Sequence, residues 1–191
     1  MISVDSDDLF DASYSGCVDY LRYLLKNNAN PNIQTSDGRV PLHYACRRGM
    51  VHCVRVLLEH GANANIPNIT GFTPIFTACI NDQPDCVRFL LDKRADLHWR
   101  TFHGETPLHL ACSFRSRRCV SLLLEKRADP DIADSSGSTP LHIACFVGDE
   151  IGVQLLLKYN ASVDKLDARY QTPLMIAMRQ RHWKCVEMFE K

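Results

Sequence analysis

The segments Val40-Pro41-Leu42-His43, Thr73-Pro74-Ile75-Phe76, Thr106-Pro107-Leu108-His109, Thr139-Pro140-Leu141-His142 and Thr172-Pro173-Leu174-Met175 each begin 33 residues after the one before. One step further back falls Asp7-Asp8-Leu9-Phe10, with Ala12 and Gly16 where Ala45 and Gly49 stand. A second series keeps the same phase: Leu24-Leu25, Leu57-Leu58, Leu90-Leu91, Leu123-Leu124 and Leu156-Leu157, with Phe189-Glu190 in the last copy. The chain therefore reads as one repeat domain, 1–191. Its six copies are 1–36 (an N-terminal cap), 37–69, 70–102, 103–135, 136–168 and 169–191 (a C-terminal cap).

The residue types within a copy dictate its local structure. Thr or Val at the N-cap followed by Pro at the first helical position starts a helix, since Pro lacks a donor that would be unsatisfied there anyway. Ala45, Ala78, Ala111, Ala144 and Ala177 keep this inner helix thin enough for close neighbours, and Leu42, Ile75, Leu108, Leu141 and Leu174 fill the space between layers. A second helix carries Val51, Val54, Leu57 and Leu58 on one face. After it comes a small, polar segment such as Gly61-Ala62-Asn63-Ala64-Asn65, then Gly38, Gly71, Gly104 or Gly137 just before the next helix, where a turn with positive φ is expected. No copy can bury its leucines alone, so stability must come from stacking.

This pattern resembles the ankyrin repeat family, whose period and T-P-L-H-x-A signature it repeats over essentially the whole chain. The resemblance implies an all-α repeat solenoid, antiparallel helix pairs joined by β-hairpin loops. It also implies a non-catalytic protein-interaction role. Departures sit at both ends: Asp7 and Asp8 replace Thr-Pro, placing acids where a helix dipole favours them, and Tyr170 and Met175 replace Gly and His. The short last copy is expected to reflect truncation over a degenerate cap. Asp82, Arg94, Arg115 and Arg127 occupy places where the family usually carries glycine. For Arg94 and Arg127 a left-handed backbone would cost roughly 1 kcal/mol each, softening repeats three and four.

Composition limits the function. The 191 residues carry 22 Lys+Arg against 22 Asp+Glu, for a net charge of zero, so no long-range field draws in nucleic acid or an anionic membrane. No apolar run reaches membrane-spanning length and the start, MISVDSDDLFDASYSG, is acidic, so an intracellular protein, cytoplasmic or nuclear, is expected. Nine cysteines, an odd count scattered at repeat spacings, read as reduced thiols, and Cys-x6-Cys is not a zinc spacing; neither metal nor cofactor is expected. The sequons at Asn68 and Asn160 read as plain loop residues, and the basic clusters Arg47-Arg48 and Arg115–Arg118 as solvated charge.

No dinucleotide, P-loop, zinc-protease or nucleophile-elbow signature is present. His43, His109 and His142 recur at one repeat position, which argues for a structural task, since a catalytic residue needs distinct partners. The resemblance implies that this task is tying a helix start to the adjacent hairpin. A competing class, a Cys/His enzyme or metal-binding protein using Cys112 with His103, has no oriented third residue.

The resemblance places the binding surface on the concave side, at hairpin tips and exposed inner-helix positions. There this chain carries Arg39, Arg47, Arg48, Ile69, Phe72, Ile80, Phe102, His103, Glu105, Phe114, Phe146, Val147, Arg169 and Arg179. Large apolar side chains bracketed by arginines suit an apolar or aromatic segment of another protein with flanking carboxylates. The freestanding module has an alternative, the recognition arm of a ubiquitin ligase or other scaffold. A monomer is expected. Asn32 and Asn65 hold the hairpin place that the asparaginyl hydroxylase of ankyrin repeats modifies, and are candidate substrates through the resemblance alone.

Overall fold

A computed structural model describes residues 6–190, which divide into two compact units, one up to Asp96 and one from Leu97. In the first unit the helices are α1 (Ser6–Ser15), α2 (Val18–Lys26), α3 (Pro41–Arg48), α4 (Val51–Glu59), α5 (Pro74–Ile80) and α6 (Pro84–Asp92). The second holds α7 (Pro107–Ser113), α8 (Arg117–Glu125), α9 (Pro140–Val147), α10 (Glu150–Lys158), α11 (Pro173–Arg179) and α12 (Trp183–Val186), then a 3-10 turn at Glu187–Phe189. Inner helices α1, α3 and α5 pack side by side in the first unit, as α7, α9 and α11 do in the second, and each is backed by its own outer helix. Leu42, Ala45, Leu57, Ile75 and Leu90 have no exposed surface in the first unit, nor do Ala111, Leu123, Leu141 and Leu156 in the second.

The connecting hairpins are tight turns, and no described residue lies in a β-strand. Each turn is too short for a ladder and is closed instead around one side-chain acceptor. Asn68 Oδ1 accepts from the backbone N–H of Thr70 at 3.0 Å and of Phe72 at 2.9 Å, and from the Thr70 hydroxyl at 2.7 Å. Asp134 does the same for Ser136 and Ser138, and Asp167 for Arg169 and Gln171. Thr35 and Thr101 serve Arg39 and Glu105 from the same repeat position. Asn68 is thus a buried loop organiser, a task beyond the plain loop residue expected from its sequon. Adjacent turns are stitched by Ile69 N–H to Asp37 C=O in the first unit, and by Ser135 to His103 and Ala168 to Ser136 in the second.

Gly137 shows why the turn ends in glycine. Its φ is +77°, and a Cβ there would lie 3.0 Å from the Ala168 nitrogen and 3.2 Å from the Asp167 carbonyl carbon. Both obstacles are backbone. Gly137→Ala is expected to lower stability by about 2 kcal/mol through left-handed strain plus crowding. Urea unfolding would report this as a lower midpoint with an unchanged slope; an unmoved midpoint would show that the next turn yields. The left-handed conformation expected at Arg94 and Arg127 is present, with φ of +63° and +67°, and Asp82 and Arg115 share it at +48° and +54°.

The Thr hydroxyl expected to cap each inner helix does so only at Thr172, which accepts from Met175 N–H at 3.3 Å. The third helical residue decides the outcome. Where it is His, the ring takes over: Nδ1 accepts the N-cap N–H of Val40, Thr106 and Thr139, each at 3.1 Å. With that nitrogen accepting, Nε2 carries the hydrogen and donates across to the next hairpin, to the carbonyls of Phe72 (2.9 Å), Ser138 (3.0 Å) and Gln171 (3.0 Å). The Thr106 and Thr139 hydroxyls turn toward the same Nδ1 at 2.8 and 2.9 Å. Where Phe76 stands instead, the Thr73 hydroxyl is buried without a partner among the described residues.

An ion pair with a buried carboxylate in the second unit has no counterpart among the other described copies. Cys53, Cys86, Cys119 and Cys185 recur in phase on the outer helices, but the fifth copy has Gly152 in that place. The Asp149 side chain fills the gap: a Cβ on Gly152 would lie 2.5 Å from Asp149 Oδ2. Asp149 is fully buried, its Oδ1 2.9 Å from Arg117 Nε and its Oδ2 without a hydrogen-bond partner among the described residues.

Candidate functional site

Each unit carries an open groove where an inner-helix face meets the following hairpin. In the first unit a groove of about 300 Å³ is lined by Arg39, His43, Tyr44 and Arg47 on one side and by Phe72, Thr77 and Ile80 on the other. In the second, about 270 Å³ is enclosed by Ser138, Ile143 and Phe146 facing Arg169, Ile176 and Arg179. The two grooves use equivalent repeat positions with opposite polarity. Arginines come from the earlier copy in the first groove and from the later copy in the second, with apolar side chains opposite. Seven of the residues expected from the sequence therefore line grooves: Arg39, Arg47, Phe72, Ile80, Phe146, Arg169 and Arg179.

Their environments differ. Arg39 is paired with Asp37 at 2.8 Å, and the Thr35 hydroxyl's hydrogen bond, with Arg39 assisting, holds the Asp37 carboxyl below its ordinary value. Arg179 Nη1 donates to Gln171 Oε1 at 2.6 Å, at the groove rim. Phe72 is half-buried and stacked on the fully buried Phe76, ring centroids 5.4 Å apart, so only part of its surface is open. Phe146 is open over half of its surface.

The remaining expected residues lie outside the grooves. Arg48 is engaged over the Tyr14 ring, 5.1 Å from its centroid. Ile69, Phe102 and Phe114 are exposed at turns, Phe102 the most so at 77%. His103, the residue after Phe102, is also exposed, and Glu105 accepts from the Thr101 hydroxyl at 3.1 Å. Val147 is half-buried and its carbonyl accepts from Arg115 Nη2. Tyr44, Thr77, Ile143 and Ile176 line grooves without having been singled out in the sequence. Their shared phase, 33 residues from one to the next or a multiple of it, was the available signal.

Asn32 and Asn65 are both engaged. Asn32 Oδ1 accepts Asn63 N–H at 2.7 Å while its Nδ2 donates to Gly61 C=O at 3.0 Å; Asn65 does the same with Asp96 N–H (2.9 Å) and Arg94 C=O (3.1 Å). His98 and Asp131 accept the N–H of Asp129 and Ser162 from the same place in the second unit. This position clamps one hairpin to the next.

The buried Cys53, Cys112 and Cys145 thiols are poorly suited to nucleophilic chemistry. Burial pushes the Cys112 and Cys145 thiols far up and raises Cys53 to about 11, whereas a nucleophile needs thiolate. Cys112 is fully buried and His103 is exposed, so the pair considered from sequence lacks the arrangement of a catalytic dyad. Among the described residues no group of three or more His, Cys, Asp or Glu could hold a metal, and no helix is long and apolar enough to cross a membrane.

Phased helix pairs, histidine ties and groove-forming hairpins define a helix-pair repeat protein. The family model for ankyrin repeats (3 copies) matches residues 9–101, 63–134 and 108–190, and the chain belongs to the ankyrin repeat family. No curated protein matches it. Ankyrin repeats generally serve protein–protein interaction and are typically non-catalytic.

Proposed function

We propose that this chain is a non-catalytic recognition module that takes an apolar or aromatic segment of a partner protein, with acidic residues beside it, into its grooves. The observation that carries the reading is the pairing within each groove of open apolar surface with arginine, Phe72 and Ile80 facing Arg47, and Phe146 and Ile143 facing Arg179. Aromatic pockets rimmed by arginine are the usual place for binding anchors, and guanidinium groups recognise carboxylates by paired hydrogen bonds.

Selection from a random peptide display library tests this whatever the partner is. Peptides with Phe, Trp or Leu flanked by Asp or Glu are expected to dominate. Arg47→Glu and Arg179→Glu should weaken the selected peptides by about ten-fold or more while leaving the thermal midpoint within about 1 °C, as surface charge changes do. Enrichment of basic peptides, or affinity indifferent to both substitutions, would reject the reading.

A further inference from the structure

The turns joining inner to outer helices in the second unit concentrate positive charge that the balance of the whole chain hides. Residues 115–118, 148–151 and 181–184 carry Arg115, Arg117, Arg118, Arg181 and Lys184 against Asp149 and Glu150. Within three residues of these turns the only further charges are Arg179 and Glu187, of opposite sign. Asp149 is fully buried and paired with Arg117, so those two cancel. Arg115, Arg118, Arg181 and Lys184 then stand over one carboxylate, Glu150, which lies 3.5 Å from Lys184. Arg115 donates to the neutral Val147 carbonyl of the next turn, so its charge stays at the surface.

Two of these cations sit on backbone that resists them. Arg115 and Arg181 have φ of +54° and +60° at the place where Gly16, Gly49 and Gly148 stand in other copies. A bulky side chain bears left-handed strain there that glycine would not. Among the cations are exposed apolar groups: Ile151, open over 42% of its surface, and Trp183, over 58%. Trp183 borders a cleft of about 300 Å³ with Gly148, His182 and Cys185. This openness belongs to the repeat places themselves. Equivalents of Ile151 are exposed in every copy and equivalents of Trp183 are buried in none, including copies with a neighbour on either side.

We propose that this edge of the second unit docks on an anionic lipid surface, its arginines and Lys184 meeting the headgroup charges while Trp183 and Ile151 enter the headgroup boundary. Because α7, α9 and α11 pack side by side, their C-terminal turns lie along one edge, which a flat surface can meet at once. Arginine and lysine beside an amphipathic indole suit a membrane interface. A nucleic-acid strand instead needs successive aromatic faces along a channel for its bases, and this edge offers one. The chain would lie on such a surface without crossing it. The proposal is independent of the grooves and of what they bind.

Co-sedimentation of the intact chain with phosphatidylcholine vesicles, with and without about 30% phosphatidylserine, tests it. At about 0.1 M salt, partition into the serine-containing vesicles is expected to be at least about ten-fold stronger, and to weaken several-fold at about 0.5 M. Arg181→Glu combined with Lys184→Glu should lower it by about ten-fold or more while leaving the thermal midpoint within about 2 °C, because both side chains are exposed. Vesicles with brominated chains should quench the tryptophan emission of the wild type. Trp183→Phe should abolish that quenching, since the remaining Trp99 lies between α6 and α7, away from these turns. Equal partition with and without phosphatidylserine, partition indifferent to the double charge reversal, or quenching that survives Trp183→Phe would overturn the proposal. So would retention of a single-stranded oligonucleotide by a chain that leaves the vesicles untouched, which would assign the edge to nucleic acid.

Discussion

Replacing Arg117 by Met is expected to lower stability by about 3 kcal/mol, which for a chain of this size is a fall of about 9 °C in thermal midpoint. The methionine keeps most of the apolar stem and removes the guanidinium, both its charge and the Nε–H that Asp149 accepts. Asp149 is then left fully buried with neither oxygen paired, and an uncompensated buried carboxylate costs far more than the pair itself contributes. Asp149→Asn added to Arg117→Met should recover most of the loss, because the amide fills the same space over Gly152 without a charge. Calorimetry on the two single variants and the double gives the coupling directly. If Arg117→Met costs less than about 1 kcal/mol, or the second change restores nothing, Asp149 is solvated by some other route.

Acid should destabilise the protein well before its carboxylates titrate. Burial pushes His43 down from 6.5 to about 4, with the Arg39 charge adding to the effect against the hydrogen bond to Phe72 C=O; burial also lowers His109 and His142. A ring that is neutral when folded but binds a proton more readily when unfolded contributes stability fully present above pH 6.5. That stability is lost as the pH falls toward 4. For His43 alone the loss amounts to about 3 kcal/mol at most. Urea unfolding at intervals between pH 7 and 4 is expected to show this decline. His43→Gln should remove about one proton from its slope, although the variant starts lower for want of the ring's two hydrogen bonds. An unchanged slope would place the acid sensitivity elsewhere.

The fold was legible because its determinants recur. Thr-Pro returns in phase four times after Val40-Pro41, the leucine pair occurs five times, and the bulk at Arg94 and Arg127 stood out only against that rhythm, correctly marking left-handed backbone. What escaped was whatever happens once or depends on a neighbour. Arg117 and Asp149 meet 32 residues apart in a single pair of copies, so no period betrays them. Whether a Thr hydroxyl caps its helix depends on whether the third helical residue is His43, Phe76 or Met175. Phe72 counted as a free anchor by phase, yet it stacks on Phe76 because two aromatics four residues apart share one side of the turn and helix start. The arginines were legible as a set, but only coordinates separate Arg47, lining a groove, from Arg48, spent on Tyr14.

Thr35, Asn68, Thr101, Asp134 and Asp167 are three different residue types holding one geometry. Each closes its loop chiefly through main-chain amides, so apart from the Thr70 and Ser136 hydroxyls and the turn glycine the side chains at the summit stand outside the closure. A lineage, or a designer, can rewrite those remaining summit positions and change what the molecule recognises without renegotiating how it folds.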